Sequence, residues 1–220
     1  GQDGIRHDRN VLIGGLHAAC EHRTRRRATV PPSEVGDLLR RIKVYNGDPI
    51  TRLALLFTLH TMVRTTETRF AVWTEFENLD GAEPIWRIPP ERMKNGLEHI
   101  VPLSPQVIRI LDDVRQHSPK NSPWVFPGES KLGVLSENTM LYAMYGMGYH
   151  GKATVHGLRT TASTTLNEST LFNSDWIERQ LSHVEDNEVR AAYNAAEWLT
   201  PRRTMMAWWS ALLESKTPAD

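Results

Sequence analysis

Seven side chains in this sequence could do chemistry together: Arg64 and Glu67 in "VRTTET", Lys94 beside Asn95-Gly96, His156 and Arg159 in "HGLR", His183, and Tyr193 in "RAAYNAA". Each has an ordinary structural role when taken alone. Arg64 and Glu67 are spaced as a local helix ion pair. Lys94 at a turn tip is a solvated cation, His156 and Arg159 share one helix face, and His183 suits the negative end of a helix. Tyr193 is less easily explained, because its small neighbours would bury little of a phenol ring.

As a set they form a coherent machine for a phosphodiester. Two guanidinium groups match the non-bridging oxygens of a phosphate. Charge grows on those oxygens when the phosphorus is attacked in line, and preorganised donors aimed there are the largest catalytic factor. The Tyr193 phenol is a candidate nucleophile that would form a phosphotyrosine. Its ordinary pKa is about 10, so nearby cations or a base must help remove its proton, and His156 is the natural helper. Lys94 can give a proton to the leaving oxygen. His183 can add a hydrogen bond to the phosphate. The cations already supply the positive charge, so this chemistry needs no metal and no other cofactor.

The elements that must carry these groups are mostly helices. Pro31-Pro32-Ser33-Glu34 starts one helix, and Gly47-Asp48-Pro49 stops it. "TRLALLFTLHTMV" is apolar enough to be the buried centre. "TTETRFAVWTEF" continues as a second helix or ends in a turn near Trp73. The clear β signal is "PIWRIPP" and "LEHIVPL" flanking the Asn95-Gly96 turn dipeptide. Helical patterns follow at "QVIRILDDVRQH", "SENTMLYAMYGMG", "VHGLRTTASTTLNE", "SDWIERQLSH" and "TPRRTMMAWWSALLE", with "SPWVFPG" extended. The fold class expected is α+β, predominantly helical, with a small antiparallel sheet. Residues 1–30 read as a linker or partly disordered extension, and residues 31–220 as one domain with a helical tail.

Composition sets bounds. The 220 residues are 40% hydrophobic, enough for a real core. Lys+Arg and Asp+Glu are 26 each, so net charge does not argue for a nucleic-acid partner. The basic clusters at Arg23, Arg25, Arg26, Arg27, at Arg40, Arg41, Lys43, and at Arg202, Arg203 each read first as solvated surface. Cys20 is the one cysteine, which excludes an intrachain disulfide and suggests a reducing compartment. No run approaches a membrane span, no HExxH or paired CxxC motif is present, and a cytoplasmic location is expected. In the tail, Met205, Trp208, Trp209 and Leu212 lie near one helical stripe. That stripe serves either this chain's own core or a neighbouring subunit.

The order Arg, Lys, His-x-x-Arg, His, Tyr resembles the tyrosine recombinase (phage integrase) superfamily. "ERMKNGLEHIVPLS", "QLSHVEDNEVRAAYN" and "RRTMMAWWSALL" resemble its genomic-island and prophage branch. The resemblance runs from about Pro31 to Leu213. It implies that Arg64, Lys94, His156, Arg159, His183 and Tyr193 are catalytic, with Glu67 supporting. It implies a helical catalytic domain that cuts and rejoins double-stranded DNA attachment sites through a 3′-phosphotyrosine, without a cofactor. Partners would be further copies in a tetramer on DNA and a DNA-bending accessory protein. Two departures stand out: the family's usual N-terminal DNA-binding domain is not in this sequence, and "MVRTTET" differs from the usual surroundings of the first arginine. A relaxing topoisomerase of related chemistry and a DNA-binding module without catalysis are the alternative readings.

Overall fold

A computed structural model describes residues 28–183 and 198–216. Its centre is α2 (Pro49–Thr61). Asp48 caps it, with Oδ2 accepting from the Thr51 amide at 2.7 Å, and Pro49 occupies the first turn. Leu53, Ala54, Leu55, Phe57 and Leu59 are all buried, so the helix is apolar around most of its circumference. Each such large side chain contributes roughly 1.5–3 kcal/mol relative to exposure. Around α2 pack α1 (Val35–Lys43), α4 (Pro105–His117), α5 (Thr139–Met144), α6 (Val155–Ser169) and the tail helix α8 (Leu199–Ser215).

The sheet has three antiparallel strands, β1 (Phe76–Glu77), β2 (Ile85–Ile88) and β3 (His99–Pro102), in that order. Trp86 pairs with Val101 and Ile88 with His99. The sheet is fastened to α2 through aromatic contacts. Phe57 meets Trp86 at 5.3 Å edge-to-face, and Trp86 stacks on Phe76 at 5.3 Å between ring centres. The β2–β3 connection turns through Gly96, whose φ of 66° a side chain would resist.

The segment after Arg64 takes the turn alternative. α3 (Thr65–Arg69) is a short helix, and a 3-10 turn at Trp73–Glu75 leads into β1, a strand with no distinct sequence signal. "YGMGY" is also irregular: Tyr145–Tyr149 forms a π-type turn, and Gly148 has φ 91°. α6 starts with the Thr154 hydroxyl accepting from the Gly157 amide at 3.0 Å. The Gly157 position is tight, since a Cβ there would stand 2.3 Å from the Ala28 carbonyl oxygen. Val30 is buried, and its carbonyl accepts from Thr161 at 2.6 Å.

α7 (Ser174–Gln180) and α8 complete the body. The tail folds onto its own chain. Met205, Met206, Trp209 and Leu213 are buried, and the Trp209 indole donates to Leu59 O at 2.9 Å. Trp208 and Leu212 pack against the same core. No helix among the described residues is long and apolar enough to cross a membrane.

Candidate active site

The site is built on the C-terminal end of α2. A helix ends with carbonyls that have no partner within the helix, and these must be met from outside. Met62 turns left-handed with φ 58°, and its amide closes on Thr58 O at 3.0 Å. Side chains from three other helices meet the carbonyls of Leu59, Thr61 and Met62. Trp209 of α8 reaches Leu59 O, Gln180 of α7 reaches Thr61 O at 2.8 Å, and Arg159 of α6 donates through Nη1 to Met62 O. The turn then delivers Arg64 to the start of α3.

Arg64 is held by Glu67, which is buried. The Glu67 carboxylate accepts from the Arg64 amide at 2.6 Å through Oε2 and from Nη1 at 2.6 Å through Oε1. One carboxylate therefore caps the helix and aims the guanidinium. Arg64 Nη2 donates to Ser182 O at 3.1 Å. Arg159 Nη2 donates to the preceding carbonyl, Leu181 O, at 2.5 Å. Arg64 and Arg159 thus converge on two consecutive peptide groups just beyond α7. A guanidinium has five N–H donors, so each keeps donors beyond these bonds.

Placing two cations together is costly. Arg159 is only 5% exposed, and burial, followed by the charge of Arg64, brings its pKa down to about 10. Glu67 and Glu178 oppose that shift. At neutral pH Arg159 remains protonated, so the site presents two fixed positive charges.

His183 directly follows the two carbonyls. Its amide donates to Glu178 O at 3.1 Å, and its Nδ1 lies 2.5 Å from Glu178 Oε2. The carboxylate makes Nδ1 the protonated nitrogen and fixes the ring orientation. The hydrogen bond from His183 is the main reason the Glu178 pKa lies below the usual carboxylate range.

Lys94 is exposed on the β2–β3 turn, and its neighbour Asn95 donates through Nδ2 to Ser182 Oγ at 3.4 Å. The turn is thereby brought beside Ser182, whose carbonyl accepts from Arg64 and whose neighbour Leu181 accepts from Arg159. His156 is exposed in the first turn of α6, three residues before Arg159. Tyr193 lies outside the described residues.

Several participants have no sequence signal of their own. Glu178 orients His183 from within an ordinary amphipathic helix. Arg202, expected as solvated surface, is fully buried: Nη2 donates to Gln180 Oε1 at 2.7 Å and to Ile100 O at 2.6 Å. The physical reason is its place on the inner face of α8, over polar atoms of α7 and β3. Arg40 and Lys43 are exposed, as the surface reading expects, and Arg23, Arg25, Arg26 and Arg27 lie outside the described residues. His99 is fully buried with both ring nitrogens lacking a hydrogen bond among the described residues. Burial, then the charges of Arg202, Arg179, Arg159 and Arg64, keeps it neutral.

The fold and the paired arginines together suit an enzyme class that acts on phosphodiesters. The sequence profile of the phage integrase family matches residues 29–198. This chain belongs to that family, within the tyrosine recombinase superfamily. The integrase of Enterobacteria phage P4 is 42% identical over 223 residues, covering 94% of this chain and 50% of that protein. Prophage integrase IntA of Escherichia coli K12 is 35% identical over 188 residues, covering 85% of this chain and 44% of that protein. The chain spans about half the length of the curated relatives it matches. Among solved structures, the integrase from mycobacterium phage Brujita has a TM-score of 0.59 at 16% identity, over 84% of this chain and 63% of that one. XerH site-specific recombinase bound to its difH substrate, in a pre-cleavage complex, has a TM-score of 0.55 at 17% identity, over 78% of this chain and 54% of that one. The structural likenesses establish the same fold, mostly helical with a small antiparallel sheet.

Proposed function

We propose that residues from about Pro31 onward form the catalytic domain of a site-specific DNA recombinase that integrates or excises a mobile element. The observation carrying this reading is the meeting of Arg64 and Arg159 at the consecutive carbonyls of Leu181 and Ser182, with His183 next in line. Family membership supports it, and the XerH complex with its difH substrate supports double-stranded DNA as the partner.

In this mechanism the spare N–H groups of Arg64 and Arg159 take the non-bridging oxygens of one phosphate. Glu67 keeps Arg64 aimed. Tyr193 Oη attacks the phosphorus, a P–O bond to tyrosine forms, and the P–O5′ bond breaks. The phenol proton passes to His156, and Lys94 gives a proton to the departing O5′. His183, held through Nδ1–H by Glu178, donates from Nε2 to the phosphate in its doubly protonated form. Strand transfer is the reverse reaction with a 5′-hydroxyl from the partner duplex. The bond energy is kept in the phosphotyrosine, so no cofactor is required. The working assembly is a tetramer on paired attachment sites in the bacterial cytoplasm, helped by a DNA-bending protein.

The test is a duplex carrying the end sequence of the element that encodes the chain, nicked close to the scissile phosphate. The short released strand diffuses away, and the covalent complex accumulates. Wild type should yield a protein–DNA adduct that survives denaturation, and Tyr193→Phe should yield none. Equal adduct from both proteins would exclude Tyr193 as nucleophile, and none from either would favour a DNA-binding module.

A further inference from the structure

The geometry points to Arg92 as a positioning residue that sets the distance between Lys94 and the phosphate held by Arg64. Arg92 ends the 3-10 turn Pro90–Arg92, between β2 and the Lys94 turn. The Met93 amide bonds to Pro90 O at 3.0 Å and the Gly96 amide to Met93 O at 3.0 Å, so the Lys94 turn is built directly on this segment. The Arg92 side chain runs the other way, toward α3. Its Nη2 donates to the backbone carbonyl of Glu67 at 2.6 Å. Its Nη1 pairs with the carboxylate of Glu75. Glu75 is nearly buried and also accepts from the Trp86 indole at 2.9 Å, while the Arg92 guanidinium lies over the Trp86 ring.

Glu67 therefore has two jobs at once. Its carboxylate holds Arg64 by two bonds of 2.6 Å, and its carbonyl is the anchor for Arg92. A short path of hydrogen bonds and two peptide units joins the base of the Lys94 turn to the arginine that grips the phosphate. Such a path is needed because a lysine ammonium rides on a flexible stem and cannot position itself. Its precision has to come from the backbone, and misplacement by about 1 Å can cost roughly 100-fold in rate. Met93 is buried and Asn95 reaches Ser182 Oγ at 3.4 Å, but Lys94 is exposed, Leu97 is 56% exposed and Gly96 is at the bend, so the tip by itself supplies only part of that precision.

This inference rests on reading Lys94 as the proton donor, and the test separates the two. The nicked duplex described above is made in two forms. One has the natural bridging O5′ at the scissile phosphate and the other has sulfur there. When the P–S bond breaks, an alkyl thiolate leaves, and it holds its charge near neutral pH without receiving a proton, much as a cysteine of pKa about 8.5 does in part. A defect confined to proton donation then disappears.

Lys94→Ala should be slow on the oxygen substrate and recover on the sulfur substrate. Arg92→Lys keeps the charge but loses the two-pronged bridge; it should be roughly 10- to 100-fold slow on oxygen and within about threefold of wild type on sulfur. Glu75→Gln loosens the same anchor from its other side and should follow the same pattern, which covers the case of an Arg92 variant that folds poorly. Arg64→Ala should be slow on both. If Lys94→Ala recovers on sulfur while the Arg92 and Glu75 variants stay slow, Arg92 acts through Arg64 or the fold and the inference is overturned. If Lys94→Ala itself does not recover, the proton-donor reading fails and the inference falls with it.

Discussion

Arg64 and Arg159 donate to the carbonyls of two successive residues, Ser182 at 3.1 Å and Leu181 at 2.5 Å, although one arginine opens α3 and the other lies in α6. Burial, and after it the charge of Arg64, lowers the Arg159 pKa, so the two guanidinium groups sit together at a cost. Backbone dipoles, Glu67 and Glu178 offset that cost without removing it fully. An anion arriving between the arginines would relieve what remains, so the proposed function expects the pair to take phosphate oxygens.

Orthovanadate or sulfate should therefore raise the melting temperature of wild type more than that of Arg64→Ala. A ligand at 100 times its Kd stabilises by about 2.7 kcal/mol, which is about 5–10 °C for a domain of this size. Equal shifts in both proteins would place the anion elsewhere.

The two arginines should differ in what they do for the fold. Arg64 is partly exposed, but Arg64→Ala strips the buried Glu67 carboxylate of its charged partner and should cost about 1–3 kcal/mol while cleavage falls by about 100-fold or more. Arg159 is buried and caps the end of α2 through Met62 O. Arg159→Ala leaves that carbonyl and Leu181 O without their donor, at about 1–3 kcal/mol each. Thermal melts beside adduct assays separate the cases; identical melting losses would contradict the assignment.

The Glu178–His183 pair should matter more to rate than to stability. Both side chains are about half exposed, so their coupling in a double-mutant cycle should be under about 1 kcal/mol for folding. For cleavage, Glu178→Gln should cost roughly tenfold, and adding His183→Gln should bring little further loss than His183→Gln alone. Fully additive effects on cleavage would show that Glu178 does not act through His183.

Arg202 and Arg41 come from similar basic clusters and should behave oppositely. Arg202→Met strips Gln180 and Ile100 O of their buried partner and should cost about 3–5 kcal/mol. Arg41→Met disturbs an exposed, solvent-screened pair with Asp37 and should melt close to wild type. Denaturant melts of the two variants check this directly.

Stability should fall on mild acidification. His60 is buried, with Nδ1 2.9 Å from Ser210 Oγ, and burial lowers its pKa from 6.5 to about 4. His99 is shifted the same way by burial and by four arginines. The unfolded chain thus binds more protons between these values. The full contribution is present above pH 6.5 and drains away as pH falls toward 4. For His60 alone it amounts to about 3 kcal/mol. His60→Asn should flatten part of that slope; parallel wild-type and variant curves would remove His60 as its source.

The local elements were legible in the sequence because their signals are local. Gly47-Asp48-Pro49 falls just after α1 ends, Ser104-Pro105 sits at the start of α4, and Asn95-Gly96 marks the turn between β2 and β3. The order of candidate residues was legible too, because it is written along the chain. β1 was not, since two residues paired only with β2 carry no period. Nor were Glu178, Arg92 and Arg202, whose side chains look like ordinary surface charges until a partner is known. Arg64 meets a carbonyl 118 positions away, and Arg202 meets one 102 positions away. Amino-acid order by itself determined which groups could handle a phosphate and which helices carry them. Only the packing of α6, α7 and α8 against the end of α2 decided that two arginines share one stretch of backbone, because unpaired helix-end carbonyls in a buried place accept whichever donors the tertiary fold brings.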